Sequence, residues 1–151
     1  MSPVVEVYNN QEVVNLDDTL IEQFEAMANQ ALPEVLKYPA HGGGVLSDLE
    51  MVEISIVDDP TIEQVHIDFM DVPGATDVIT FAHGEIVISV ETAQLYAKDY
   101  QYTWQRELML YIVHGLLHLC GHEDADPDER NAMEKIQFAI LDQVWQEPVS
   151  A

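Results

Sequence analysis

The sequence has 151 residues, 48% of them apolar, which is enough for one domain with a substantial hydrophobic core. Its 28 acidic residues against 5 basic ones give a net charge of −23, and such a surface repels DNA and RNA, which normally bind to lysine and arginine. A single cysteine excludes an intrachain disulfide, and no apolar run reaches the about 20 residues that a membrane helix needs. The start of the chain lacks the features of a signal peptide, so a cytoplasmic protein is expected.

The first half of the chain predicts two strands and two helices. Residues 4–8 alternate apolar and polar and predict an edge strand, while residues 51–57 predict a second strand. Asp17 and Asp18 offer a cap for a first helix that is expected to end before Pro33. Asp58, Asp59 and Pro60 begin a short second helix. The residues at helical spacing along it are Ile62, Val65, His66 and Phe69.

A loop over residues 37–47 separates the first helix from the second strand. It contains Gly42, Gly43 and Gly44 but lacks the lysine and the following helix of a phosphate-binding loop. The run therefore indicates a flexible connection, and His41 within it is interpreted as a solvated loop residue.

The second half predicts a hairpin followed by three helices. Residues 77–81 and 85–89 form two short strands around a tight turn, and the run VITF in the first is expected to be buried. Helices follow over residues 91–100 and 103–120, and the second of these is apolar nearly all round, so it should cross the core. Asp126 caps the last helix, with Pro127 at its first position. Residues 1–151 thus predict a single α+β or α/β layered domain.

The stretch HGLLHLCGHED in the core-crossing helix carries the pattern of a metal site. His114 and His118 lie four apart, so a helix places both rings on one face. Gly121 is the natural residue for a left-handed helix stop, and Asp124 stands ten residues after the first histidine, as the third ligand does in long metal-site motifs. The spacing predicts a divalent ion on His114, His118 and Asp124, although two hydrogen-bonded core histidines are the simpler alternative. Gly115 occupies the position of the glutamate base of H-E-x-x-H peptidases, which argues against proteolysis.

Several blocks of the sequence resemble the YbeY family of endoribonucleases and rRNA maturation factors. HGLLHLCG is similar to the family's H-G-x-L-H-L-x-G-Y-D-H, TDVITF (residues 76–81) to its T-D-V-L-S-F, and GEIVIS (residues 84–89) to its G-D-I-V-I-S. REL at residues 106–108 stands at the family's offset before the first histidine, and the blocks follow the family's order over roughly residues 55–133.

The resemblance implies a small mixed β-sheet packed with helices, with a zinc ion on three ligands at the core helix. It also implies cleavage of single-stranded RNA in small-subunit rRNA maturation and ribosome quality control. The family's third histidine falls at Asp124, while His122 stands where the family has tyrosine and is the rival third ligand. Met70 stands where many members have an arginine thought to help bind or cleave RNA.

The predicted ion indicates how RNA would be cleaved. A metal on three ligands lowers the pKa of its bound water and stabilises the charge that develops on a phosphoryl group. His114 and His118 are then the catalytic ligands, and Glu123 or His122 can carry protons. Arg106 can reach a phosphate. The simpler interpretations are that Glu123 is one more solvated acid and that Arg106 has a surface role.

Two other functions use the same residues. Two histidines and a carboxylate also form the facial set of non-haem iron oxygenases, usually on β-rich scaffolds. Alternatively, the metal is structural and the chain is a non-catalytic ribosome assembly factor that binds basic ribosomal proteins, which its acidity suits.

Overall fold

A four-stranded mixed sheet organises residues 3–40, 42–72, 74–100 and 102–148, which are the residues that the computed structural model describes. His41, expected in a solvated loop, lies outside these residues. The elements are, in chain order, β1 (Val4–Asn9), α1 (Asp18–Leu36), β2 (Met51–Val57), α2 (Asp59–Met70), β3 (Val78–Phe81), β4 (Glu85–Ser89), α3 (Val90–Ala97), α4 (Trp104–Leu119) and α5 (Pro127–Val144), with a 3₁₀ turn at Leu46–Asp48.

The strands lie in the order β1-β2-β4-β3. β1, β2 and β4 are parallel, and β3 is antiparallel to β4, so the predicted hairpin, the edge position of β1 and the mixed sheet are confirmed. The expectation that the VITF run is buried is wrong for three of its four residues, since Ile79 alone is fully buried. The reason is the position of β3 at the second edge of the sheet, where one flank has no neighbouring strand.

Both faces of the sheet are covered by helices. Successive residues of a strand point to opposite faces, and β4 accordingly sends Ile86 and Ile88 into a main core shared with α1, α4 and α5. Val87 enters a smaller cluster on the other face together with Ile62 of α2 and Ile79 of β3. The α+β class, with one helix crossing the core, is as predicted, because nine of the 16 residues of α4 are buried.

Helix α1 runs past the position where the sequence predicted its end. Pro33 lies inside α1, which continues to Leu36, so the prediction that proline follows the helix is wrong. Proline has no N–H and leaves the carbonyl of Asn29 without its usual helical partner. The last turn persists because Val35 is completely buried in the main core. Helix α3, in contrast, ends at Ala97, three residues earlier than expected.

Helix α2 buries its first half only. Ile62 is completely buried and Val65 packs beside it, whereas Phe69 is 70% exposed, so the predicted apolar stripe does not extend to Phe69. Within the described ranges, no helix combines the length and apolarity needed to cross a bilayer.

Candidate metal centre

Helix α4 brings His114 and His118 together as the spacing predicts. The two rings lie one turn apart, with centroids separated by 4.5 Å at an interplanar angle of 82°, and their Nε2 atoms are 3.0 Å apart. Thr103 begins the helix by accepting a hydrogen bond from the amide of Arg106. Both imidazoles are about three-quarters buried, so they need polar partners.

The turn after α4 returns the chain to the two rings. Gly121 has φ +97°, the amide of Gly121 donates to the carbonyl of His118, and the amide of His122 donates to the carbonyl of Leu117. This is the Schellman arrangement of a helix end, and the predicted glycine stop is confirmed. The turn places Oδ2 of Asp124 at 3.5 Å from Nε2 of His114 and 3.6 Å from Nε2 of His118.

The three side chains fit a metal ion by geometry and by chemistry. Their ligand atoms all lie within 4.8 Å of one another, and the group can hold an ion. Ligand atoms placed tetrahedrally at 2.0–2.2 Å from zinc lie about 3.3–3.6 Å apart. The distances from Oδ2 of Asp124 to the two Nε2 atoms fall in this range, and the distance between the two Nε2 atoms is slightly shorter.

The hydrogen bonds of the second ring nitrogens fix which atoms face the centre. Nδ1 of His118 donates to the carbonyl oxygen of His122 at 2.9 Å, and Nδ1 of His114 donates to Oε1 of Gln137 at 2.7 Å. Since these oxygens only accept, both rings carry their hydrogen on Nδ1 and direct the lone pair of Nε2 inward. Two lone pairs then face each other across 3.0 Å, an arrangement that a cation between them stabilises.

Burial also keeps His118 in the neutral form that a metal ligand requires. Desolvation lowers the pKa of His118 below its ordinary value, and the neighbouring His114 lowers it further. The charge of Asp124, the hydrogen bond to the carbonyl of His122 and the charge of Glu123 oppose this shift without reversing it. The ring is therefore prepared to coordinate an ion rather than to bind a proton.

Among the described residues, the other candidates from the sequence are not part of the group that can hold the ion. Nε2 of His122 is hydrogen-bonded to the carbonyl of Tyr38 at 2.6 Å, and His122 is not in the group that can hold the ion. Arg106 pairs with Asp142 of α5 at 2.7 Å and lies 4.0 Å over the ring of Tyr102. It is eight residues before His114, which corresponds to about 12 Å along the helix axis. Glu123 is exposed and lines a cleft together with His118.

Two contacts at the centre come from distant parts of the chain and were missed in the sequence. Gln137 is buried on α5 and reaches His114 across the helix pair, but a single glutamine in a helix gives no signal of this role. The amides of Ala40 and Val45 donate to the carbonyls of Cys120 and Leu119. The glycine-rich loop is therefore tied to the turn that carries Asp124, and its interpretation as a flexible connection is wrong at Gly44, where it packs against that turn.

Gly115 has a structural reason to lack a side chain. A Cβ at this position would lie 2.8 Å from Cγ2 and 2.9 Å from Cδ1 of Ile86, which is completely buried in β4. Helix α4 therefore approaches the sheet so closely that even a methyl group at this position would have to displace the side chain of Ile86. A glutamate base in the manner of the H-E-x-x-H peptidases does not fit here, which supports the argument against proteolysis.

A cleft of about 620 Å³ opens beside His118. Its wall includes Met70 at the end of α2, Thr80 of β3, and Gly44 from the glycine-rich loop. Within the described ranges, none of the residues that line this cleft is a lysine or an arginine. The side chain of Asp124 is 45% exposed, so the candidate centre is reachable from solvent.

Comparison with known proteins identifies relatives across most of the chain. Residues 6–145 match the family model described as Endoribonuclease YbeY. Endoribonuclease YbeY of Streptomyces griseus is 32% identical over 154 residues, which cover 89% of this chain and 86% of that protein. Endoribonuclease YbeY of Pseudarthrobacter chlorophenolicus is 35% identical over 107 residues, which cover 60% of this chain and 68% of that protein.

A solved structure agrees on the fold. The solution structure of a protein from Thermotoga maritima superimposes with a TM-score of 0.64 and covers 98% of this chain and 100% of that one. The identity between the two is 19%, so this likeness concerns the fold alone.

Proposed function

The chain belongs to the YbeY family of endoribonucleases, metal-dependent hydrolases involved in rRNA maturation, and on this premise we propose that it cleaves single-stranded RNA at a Zn²⁺ ion bound by His114, His118 and Asp124. We place this activity in small-subunit rRNA maturation and ribosome quality control in the cytoplasm, with residues 1–151 acting as one hydrolase domain. The observation that supports it best is the convergence of two imidazole nitrogens and one carboxylate oxygen beside an open cleft.

The proposed roles follow from the contacts of each residue. When bound, the ion supplies a Lewis acid that polarises a phosphoryl oxygen and lowers the pKa of a water molecule. His114 and His118 present their Nε2 lone pairs because Gln137 and the carbonyl of His122 hold their Nδ1 hydrogens. Asp124 adds the negative charge that binds a divalent cation more strongly than two neutral rings alone.

The choice of zinc rests on the ligand set and its scaffold. Two nitrogens and one oxygen suit tetrahedral zinc with an open position. The same donors also suit the iron of non-haem oxygenases, but those sites usually belong to β-rich scaffolds, and here both histidines share one helix. Metal analysis of protein purified without added metal distinguishes the two ions.

A proton carrier is needed for the leaving group, and we assign this part to Glu123. Its side chain is exposed in the wall of the cleft that His118 shares, within reach of a bound substrate. Arg106 does not enter the proposal as a phosphate ligand, because its contacts with Asp142 and Tyr102 favour a role in packing α4 against its neighbours.

The second candidate function is a non-catalytic assembly factor with a structural metal. The net charge of −23 favours it, because basic ribosomal proteins suit such a surface better than RNA does. A structural zinc site, however, is normally closed by four protein ligands, whereas here three ligands lie beside a cleft. The open arrangement supports the enzyme.

A cleavage assay on single-stranded RNA tests the proposal. Wild-type protein loaded with Zn²⁺ is expected to cleave, and His118→Ala is expected to lose cleavage while it remains folded. Equal cleavage by both proteins would identify a contaminating nuclease and favour the assembly factor.

A further inference from the structure

The outer edge of β1 is covered by side chains of α1. Val5 and Val7 direct their main-chain groups away from β2, toward the side of the sheet where no further strand follows. Asn29 accepts from the N–H of Val5 at 2.9 Å and donates to its carbonyl at 3.0 Å. Oε1 of Glu25 accepts from the N–H of Val7 at 3.0 Å. These main-chain groups are therefore not available to pair with another strand.

The outer edge of β3, in contrast, is open at Thr80. The amide of Ser89 donates to the carbonyl of Asp77, so these two residues form a hydrogen-bonded pair where β3 begins. Because such pairs alternate along antiparallel strands, Val78 and Thr80 direct their N–H and C=O groups away from β4. The amide of Val78 donates to Oδ1 of Asp77 at 2.8 Å. The N–H and C=O of Thr80 have no hydrogen-bond partner among the residues that the structure describes.

This open edge lies in the cleft of the candidate metal centre. Val78 and Thr80 line the cleft of about 620 Å³ that also contains His118. A row of outward-facing N–H and C=O groups is a template for an extended polypeptide, which pairs with it through main-chain hydrogen bonds. A polypeptide segment that enters the cleft in this conformation would add a strand to the sheet.

The charge of the protein selects a cationic polypeptide for this edge. Phosphate oxygens only accept hydrogen bonds, so RNA suits the metal ion better than it suits the carbonyl oxygens of Val78 and Thr80. A second copy of the chain carries the same net charge of −23 and is repelled. A segment with lysine or arginine is attracted, because the exposed Glu123 lines the same cleft.

The other face of this edge offers an apolar surface. Side chains of a strand alternate between its two faces, so an added strand places every second side chain on the face covered by α2. On that face Phe69 is 70% exposed and Ile67 is 38% exposed. The ring of Phe69 meets that of Phe81, the last residue of β3, with centroids 5.3 Å apart. Apolar side chains of an added strand would cover this exposed surface.

We propose that β3 is a docking edge for an extended segment of a partner protein in which apolar residues alternate with lysine or arginine. The segment pairs its main chain with Val78 and Thr80, packs its apolar side chains on Phe69, and directs its basic side chains into the cleft that Glu123 lines. This inference goes beyond RNA cleavage and does not depend on it, since the pairing uses main-chain groups of the sheet.

A short fluorescent peptide of alternating lysine and valine, acetylated and amidated at its ends, tests the docking edge. Its binding to the full Zn²⁺-loaded chain is measured by anisotropy. Either the lysine N–H groups or the valine N–H groups of the peptide face β3, but not both sets. N-methylation of the facing set removes the donors to the carbonyls of Val78 and Thr80 and should weaken binding by about 5- to 150-fold. N-methylation of the other set should leave binding unchanged.

Thr80→Pro removes the free N–H from the protein. Proline is tolerated on an edge strand where the N–H faces outward, so the sheet should stay intact by circular dichroism. Peptide binding should weaken by about 2- to 13-fold, whereas the matched control Thr80→Val keeps the N–H and should bind like wild type. The N-methylated peptides test the same pairing on the unaltered protein if Thr80→Pro does not fold.

The apolar half of the contact has its own pair of variants. Phe69→Ala should weaken peptide binding, because the valine side chains lose the ring on which they pack. Phe138→Ala is the control and should bind like wild type, because Phe138 is also exposed, at 40%, but lies on α5.

Hydrogen exchange of single amides decides between the possible occupants. The docking edge predicts that the peptide protects the amide of Thr80 and leaves those of Val5 and Val7 unchanged, since α1 already holds them. Protection of Thr80 by single-stranded RNA but not by the peptide would overturn the proposal and assign the edge to RNA. Protection that rises with protein concentration alone would assign it to a second copy. Equal binding of the unmodified and both N-methylated peptides would show attraction by charge alone and would also overturn the proposal.

Discussion

Gly44 packs directly on the carbonyl group of Leu119, the last residue of α4, and the amide of the next residue, Val45, donates to that same oxygen at 2.8 Å. A methyl group at Gly44 would overlap this oxygen and lie 2.6 Å from the carbonyl carbon of Cys120. The glycine-rich loop and the turn that carries Asp124 therefore form one packed unit.

We predict that Gly44→Ala loosens this unit and weakens Zn²⁺ binding. The overlap involves backbone atoms that cannot rotate away, so the free energy of unfolding should fall by about 1–3 kcal/mol beyond the strain of a left-handed alanine. Gly43→Ala is the matched control. Gly43 has a similar left-handed φ, +72° against +63° for Gly44, but a Cβ added at Gly43 would have no atom within 4 Å. Chemical denaturation and Zn²⁺ titration measure both effects, and equal losses in the two variants would contradict the packing argument.

Gly115→Ala should destabilise the protein even though alanine favours a helix. The added Cβ would lie 2.8 Å from the buried side chain of Ile86, and overpacking of this kind costs about 1–3 kcal/mol, more than the gain in helix propensity of about 1 kcal/mol. Ile86→Val shortens the facing side chain, so its effect should be smaller in the Gly115→Ala background than in wild type. A double-mutant cycle by thermal or chemical denaturation measures this coupling, and strictly additive effects would show that the two residues do not compete for space.

Gln137 should control metal affinity without being a ligand. Gln137→Leu removes the acceptor for Nδ1 of His114 and should weaken Zn²⁺ binding by about 10- to 100-fold. Gln137→Glu retains an oxygen acceptor at the same place and should bind Zn²⁺ at least as tightly as wild type. If both variants bind Zn²⁺ equally well, Gln137 does not orient His114.

Glu107 should give the protein a pH-dependent loss of stability. Burial raises the pKa of its carboxyl above the ordinary value, and the charge of Asp77 adds to this shift, while the nearby Tyr111 hydroxyl and the charge of Arg106 oppose it. Because the folded protein holds this proton more tightly than the unfolded chain, the folded state is disfavoured as pH rises from the ordinary glutamate pKa through the raised one.

Glu107→Gln removes that ionisation while it keeps the size and shape of the side chain. It should therefore increase the free energy of unfolding at pH 7, and the difference from wild type should vanish below pH 4. Denaturation curves across this range measure the difference. A gain that is the same at both ends of the range would mean that ionisation of Glu107 is not its cause.

What the sequence could predict was local. The spacing of His114, His118, Gly121 and Asp124 fixes the candidate centre because one helix and one turn determine where those residues lie. Gln137 could not be found in this way, since its role depends on how α5 packs against α4.

The other differences arise from tertiary packing as well. Pro33 remains inside a helix because Val35 beyond it is buried in the core, which outweighs a local rule. Phe69 follows the apolar spacing of α2 and yet is exposed, since periodicity shows the face of a helix but not how far its partner extends. Local rules thus brought the three candidate ligands together, and long-range contacts decided what orients and surrounds them.

The central claim is that His114, His118 and Asp124 bind one metal ion, and Zn²⁺ titration of three proteins tests it most directly. Wild type should bind one Zn²⁺ per chain, His122→Ala should bind it equally well because His122 is hydrogen-bonded to Tyr38, and Asp124→Ala should bind it far more weakly. Full binding by Asp124→Ala together with loss of binding by His122→Ala would contradict the account.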